Sequence, residues 1–234
     1  DHPLNRGRVA WWLAVPPLPM SNTWRDLVGL SGKNPNNGTL TTGQVWGGAR
    51  GRPGGYGSLP LNGTSQGVSC GTNAIVTTGK ITVACWVRPA VTTRGDIVTK
   101  WQDGSGAGDQ FNLLFGVTSA KAQFYVSTGA GTGTSGAGAT AMSTGVWYRV
   151  VGTYDAATCC VYSNGKLDAS ASVSISMSTA SGRTIWIGRN NAGFYANASM
   201  DDISIWNRAL SASEVALDYS QSRRGHPDTL NWLV

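Results

Sequence analysis

Apolar positions along the chain come in short runs of β-branched and aromatic residues, each closed off by Gly, Asn, Asp or Ser. Alternation with period two inside such runs marks strands with one buried face, and their repeated punctuation by turn residues marks a sandwich or barrel. The pattern predicts strands at residues 8–14, 57–62, 66–70, 81–88, 96–101, 110–116, 122–127, 146–154, 158–163, 184–188 and 201–207. Ser163-Asn164-Gly165-Lys166 puts Asn-Gly between two strand-like runs, which predicts a hairpin with a type I′ turn, because both residues accept positive φ. One helix is expected near the end, with Ser211 as N-cap, Glu214 as its capping-box partner, and Val215, Leu217 and Tyr219 following. Residues 129–141, nearly all Gly, Ala, Thr and Ser, lie between strand signals and read as a long loop inside one domain. Strand parity groups Cys85 with Ile81, Val83 and Val87. It also points Asp201 inward with Ile203 and Ile205, with Asp202 on the opposite face.

Composition narrows the picture. Charged residues are 13% of the 234 and glycines number 32, which excludes a long-helix or coiled-coil protein, and the length fits one large β domain or two small ones, of which one domain is expected. The net charge is +6, yet the arginines are scattered apart from Arg223-Arg224, so no basic stripe is present and nucleic acid is not an expected partner. No apolar run reaches the roughly 20 residues of a membrane span, and no signal-peptide pattern is seen. Starting at Asp1 rather than Met, the chain reads as a fragment or a processed segment. Cys70, Cys85, Cys159 and Cys160 allow three disulfide connectivities or none. With only His2 and His226 beside them, they fit no zinc spacing.

Three segments carry a resemblance. They are Ile81-Thr82-Val83-Ala84-Cys85-Trp86-Val87-Arg88-Pro89; Trp147-Tyr148-Arg149-Val150-Val151-Gly152-Thr153-Tyr154-Asp155, continuing to Val161-Tyr162-Ser163-Asn164-Gly165-Lys166; and Ile185-Trp186-Ile187-Gly188-Arg189, followed by Met200-Asp201-Asp202-Ile203-Ser204-Ile205-Trp206 and the capped helix. In this order and spacing, over residues 57–221, the chain resembles the laminin-G-like domains of the concanavalin A-like lectin and glucanase superfamily. The resemblance implies an all-β, two-sheet antiparallel jelly-roll sandwich with one short C-terminal helix, and places Trp86, Trp147 and Trp206 inside or under that helix. Residues 1–56 are then an N-terminal arm with an added strand that wraps the sandwich, and residues 222–234 a basic tail.

The same superfamily contains glycosidases, whose hydrolysis needs two carboxyl groups about 5 Å apart, or about 6.5–9.5 Å apart when the reaction inverts. The Glu-x-Asp-x-x-Glu pattern of its glucanase branch is missing, for the twelve acids are eleven Asp and one Glu, Glu214, which belongs to the helix cap. No Ser/His/Asp arrangement, nucleophile elbow or phosphate loop is present either, so the expectation is a module without catalysis. Sugars are held by aromatic faces with amide, carboxylate and guanidinium partners, and the ten Trp supply candidates. Trp101, Phe194 and Tyr195 lie at strand ends beside Asp103, Asn190, Asn191 and Asn197, and the ligand candidates are Trp101, Asp103, Asn190, Asn191, Phe194 and Tyr195. An inward carboxylate must be paired, hydrogen-bonded or metal-bound, so Asp201 is a candidate calcium ligand, set against a carboxylate that accepts backbone N–H bonds. The expected partner is a glycan or a surface protein, and the expected setting is extracellular, cell-surface or virion. The alternatives are a structural subunit that self-assembles through its N-terminal arm and, after it, a glycoside hydrolase.

Overall fold

The computed structural model describes residues 2–14, 22–28, 36–41, 52, 55, 57–73, 75, 78–102, 108–129, 132–179 and 182–224. Its strands are β1 (Arg8–Trp12), β2 (Thr23–Trp24), β3 (Gly38–Leu40), β4 (Leu59–Asn62), β5 (Val68–Ser69), β6 (Ile81–Pro89), β7 (Gly95–Lys100) and β8 (Phe111–Phe115). They continue with β9 (Ala122–Ser127), β10 (Thr132–Thr134), β11 (Tyr148–Tyr154), β12 (Thr158–Ser163), β13 (Lys166–Ser172), β14 (Trp186–Ile187) and β15 (Asn197–Trp206), followed by the helix α1 (Ala212–Arg224). The first sheet runs β1-β15-β6-β11-β12-β13, with β4 also paired to β15; the second runs β10-β9-β8-β7-β14-β5-β3-β2. Every pairing is antiparallel, so this is the two-sheet sandwich with one C-terminal helix that the resemblance implies.

The inner faces make one core. Ile81, Val83, Cys85 and Val87 of β6 meet Phe111, Leu113 and Phe115 of β8 and Phe124 and Val126 of β9. Gly152 on β11 is required there, because a Cβ would stand 2.3 Å from the Phe124 ring. The first sheet is also covered outside. Leu4, Ala84, Val151, Tyr162, Trp206, Leu210 and Val215 form a second apolar layer beneath α1 and the N-terminal turn, and the Trp206 indole donates to the Leu4 carbonyl at 2.7 Å. Burial on both faces explains why β6 and β11 read as almost continuous apolar runs rather than alternating ones.

The local signals resolve as follows. Asn164 and Gly165 take φ of 52° and 79° in the hairpin between β12 and β13. The Ser211 hydroxyl accepts from the Glu214 N–H at 3.3 Å, while the Glu214 carboxylate accepts from the Ser211 N–H at 2.9 Å, the reciprocal capping box. The helix runs on to Arg224, so Arg223 and Arg224 form its last turn rather than a tail. The stretch 129–141 is not all loop, since β10 lies within it and pairs with β9. The first sixty residues put strands into both sheets: β1 pairs with β15 of its own chain, and β2 and β3 extend the second sheet. All four cysteines are free, and Cys70, Cys85 and Cys159 are buried.

Parity fails at one place in β15. Asp201 faces Trp86 and Ser204 faces Ala84, so one extra residue is inserted between them, and Asp202 takes φ of 49°. This bulge resets the alternation: Met200, Ile203 and Ile205 point into the core, while Asp201 lies on the outer side under the helix and the arm. The inward placement of Asp201 and the opposite placement of Asp202 are therefore both corrected, since the two carboxylates meet the same guanidinium, that of Arg52.

Candidate functional site

On the second sheet, alternation sends Phe111, Leu113 and Phe115 inward and leaves Asn112 and Leu114 of β8 outward, beside Gln123 and Tyr125 of β9. The register sets Asn112 opposite Tyr125 and Leu114 opposite Gln123. With Arg94 and Trp101 at the two ends of β7 and Val117 beyond β8, these residues border an open-sided cavity of about 150 Å³ lined, among the described residues, by Arg94, Trp101, Asn112, Leu114, Val117 and Tyr125. The Trp101 and Tyr125 rings are 6.1 Å apart at 57°, forming an aromatic corner. Arg94 donates from Nε and Nη2 to the two oxygens of Asp96 at 2.9 and 3.0 Å, and Asn112 Nδ2 donates to Asp96 Oδ2 at 3.2 Å. The Arg94 guanidinium also lies 4.0 Å from the Phe194 ring centroid, and Phe194 is 43% exposed. Asn112 is 1% exposed, and its Oδ1 has no hydrogen-bond partner.

Of the residues singled out in the sequence, Trp101 lines this cavity and Phe194 borders it through Arg94. Trp101 is only 6% exposed, less than its place at a strand end suggests, because its ring packs on Tyr125 and its carbonyl accepts from the Asn191 N–H and Nδ2. Asn190 and Asn191 shape the loop rather than the cavity. Asn190 is fully buried, and its Oδ1 accepts from the N–H groups of Ala192 and Phe194, while Asn191 accepts from the Trp186 indole. Tyr195 accepts from Arg189 at 2.8 Å beneath that guanidinium, which also covers Trp186. Asp103 falls outside the described residues. Arg94, Asn112, Leu114, Val117 and Tyr125 escaped the sequence reading, although the alternation within 110–116 and 122–127 already places Asn112, Leu114 and Tyr125 on the face opposite the phenylalanines.

Asp201 sits in a different environment. Its Oδ2 accepts from Arg52 Nε at 2.6 Å, and its Oδ1 accepts from the N–H groups of Ala14 and Asp202. Asp202 receives the Trp11 indole at 2.8 Å, and its carbonyl accepts from Arg149, which donates twice to Asp218 at 2.8 and 3.0 Å. Burial pushes the Asp201 carboxyl up to about 6, against the pull of Arg52. This donor set does not fit calcium, because a guanidinium stands where the cation would have to be and N–H donors hold the other oxygen. Among the described residues there is also no cluster of three or more His, Cys, Asp or Glu side chains that could hold a metal. The network ties α1, the arm and β15 together; both aspartates are fully buried and closed to substrate.

A family model described as the concanavalin A-like lectin/glucanases superfamily (Laminin_G_3) matches residues 62–216. A search of the curated proteins returned no match. Among solved structures, the binding domain of Paraclostridial Mosquitocidal Protein 1 superposes with a TM-score of 0.67 at 16% identity, over 94% of this chain and 53% of that one. Domain 4 of AbnA, a GH43 extracellular arabinanase from Geobacillus stearothermophilus, solved in complex with arabinotriose, gives a TM-score of 0.67 at 18% identity, over 92% of this chain and 98% of that one. The receptor binding domain of a botulinum neurotoxin C/D mosaic serotype gives 0.63 at 13%, over 92% and 51%. The chain thus spans about half the length of the two toxin domains, and at these identities the likeness is one of fold.

Proposed function

This chain belongs to the laminin-G-like family of the concanavalin A-like lectin/glucanase superfamily, and from that premise we propose that it is a non-catalytic module that binds a glycan in the cavity between Trp101 and Tyr125. The observation that carries the reading is the cavity itself, which joins an aromatic corner to a buried amide and a fixed guanidinium, the mixture that sugar rings require. Binding rather than hydrolysis is supported by the carboxylates. Asp96, which contacts cavity residues, is engaged by Arg94 and Asn112, and among the described residues no second acid lines the wall. The arm strand β1 is taken up by its own sheet, which favours a binding module over a subunit that lends this strand to a neighbour. We read residues 1–56 as part of the same folded unit as residues 57–221, working outside the cell or on a surface. That setting is supported by the extracellular arabinanase and the toxins whose domains share the fold.

The test is titration of a glycan panel against the wild-type chain and Tyr125→Ala. Tyr125 is partly exposed, so its loss should leave the melting temperature within a few degrees while weakening binding about tenfold, the size of one ring contact. The bound oligosaccharide should be recovered intact after incubation. Absence of binding across the panel would refute the reading, and release of shorter sugars would refute the non-catalytic part.

A further inference from the structure

We infer that the cavity takes a single neutral, hydroxyl-bearing sugar ring and discriminates against acidic glycans, with Asn112 Oδ1 as the acceptor that sets this preference. The inference rests on the glycan reading above and deepens it.

Size comes first. A cavity of about 150 Å³, many times the roughly 10–15 Å³ that a single water needs, suits a ligand of about one sugar ring. Charge comes next. Among the described residues Arg94 is the one charged side chain in the cavity wall, and both its Nε and Nη2 donate to Asp96, which is fully buried. The pair is locally neutral. A carboxylate or sulfate reaching the remaining N–H groups of Arg94 would meet a charge already offset by Asp96, and drawing the pair apart would leave that aspartate buried without this counter-charge.

Hydrogen bonding points the same way. Because Asn112 Nδ2 donates to Asp96, the orientation of the amide is set, and Oδ1 is left without a donor in a side chain that lines the cavity. It is a buried acceptor without a donor, and a sugar hydroxyl supplies one where a carboxylate or sulfate oxygen supplies none. Leu114 and Val117, the latter 47% exposed, give the ring's C–H face an apolar wall beside Trp101 and Tyr125.

The experiment compares neutral probes, arabinotriose and cellotriose, with acidic ones, trigalacturonate and sialyllactose, by titration calorimetry on the wild-type chain, then on Asn112→Leu and Asn112→Ser, with monodeoxy forms of the best neutral ligand. Expected is at least tenfold tighter binding of a neutral sugar than of any acidic one. A tenfold loss in either Asn112 variant should also disappear for the one deoxy ligand that lacks the partner hydroxyl, a pattern that a merely structural role would not produce. Equal or tighter binding of acidic probes would overturn the inference while leaving the glycan reading intact. Neutral preference with unchanged binding in both variants would remove Asn112 from the role. Failure of both classes to bind would overturn the glycan reading itself. The neutral-to-acidic ratio is read on the wild-type chain, so the test stands even if a variant folds poorly.

Discussion

Arg149 reaches from the middle of β11 into the layer between the first sheet and α1, where its side chain is fully buried. Two of its nitrogens hold Asp218 at 2.8 and 3.0 Å, and a third donates to the carbonyl of Asp202. Arg52 donates from Nε to Asp201 and from Nη1 to the carbonyl of Ser222, and the Arg8 guanidinium lies near the rings of Trp11 and Trp206. Such a cluster adds little net stability over an apolar replacement, but breaking it from one side is costly, because a carboxylate is then left buried without its partner. Arg149→Met should therefore lower the unfolding free energy by about 3–5 kcal/mol, read as a fall in the urea midpoint at unchanged slope. Pairing it with Asp218→Leu should recover much of that loss, since both charges are then gone. If the double variant is no better than the single one, the cost lies in shape rather than charge.

The helix and the strands show what residue pattern reveals and what it hides. The cap was legible, since Ser211 and Glu214 stand at capping-box spacing and each bonds the other's backbone. Donation from Arg208 and from Ser211 holds the Glu214 carboxyl down to about 2. A carboxylate depressed in the folded state contributes fully above its ordinary value near 4.5 and loses that contribution as pH falls toward 2. The melting temperature should accordingly drop across that window in the wild-type chain, and Glu214→Gln should be less stable at neutral pH with a shallower acid fall; an identical fall in both would remove Glu214 from the cap's energetics. The bulge in β15, by contrast, was hidden. Asp201 through Trp206 reads as clean alternation, and only the left-handed Asp202, an uncommon but tolerated conformation for Asp, shifts the phase. Strands β2, β3 and β10 have two or three residues each, too few to display a period. The candidate site was half visible for a related reason. Trp101 and Phe194 stand out as aromatics at strand ends, whereas Asn112 and Tyr125 sit mid-strand, where only their parity against the inward phenylalanines marks them as outward.

Over the whole molecule, net charge and local charge separate. The chain carries +6, and yet five of its thirteen arginines stand against carboxylates. Arg52 faces Asp201 and Asp202, Arg149 faces Asp218, Arg94 faces Asp96, Arg183 faces Asp109 and Arg208 faces Glu214. The surplus positive charge then belongs to the remaining surface, where salt screens it within about 10 Å at 0.1 M. A ligand steered or held by that surplus would weaken steeply as salt rises, while a neutral ring held by stacking and a buried amide would not. The dissociation constant of the best neutral sugar should therefore change by less than about twofold between roughly 0.05 and 0.5 M NaCl. Its apparent affinity should also survive replacement of Arg223 and Arg224 by Gln, since both lie in the last turn of α1, the helix that covers the first sheet, whereas the cavity opens on the second. A tenfold loss over that salt range would mean that a cation contributes directly to holding the ligand, against a neutral ring held by stacking and the buried amide.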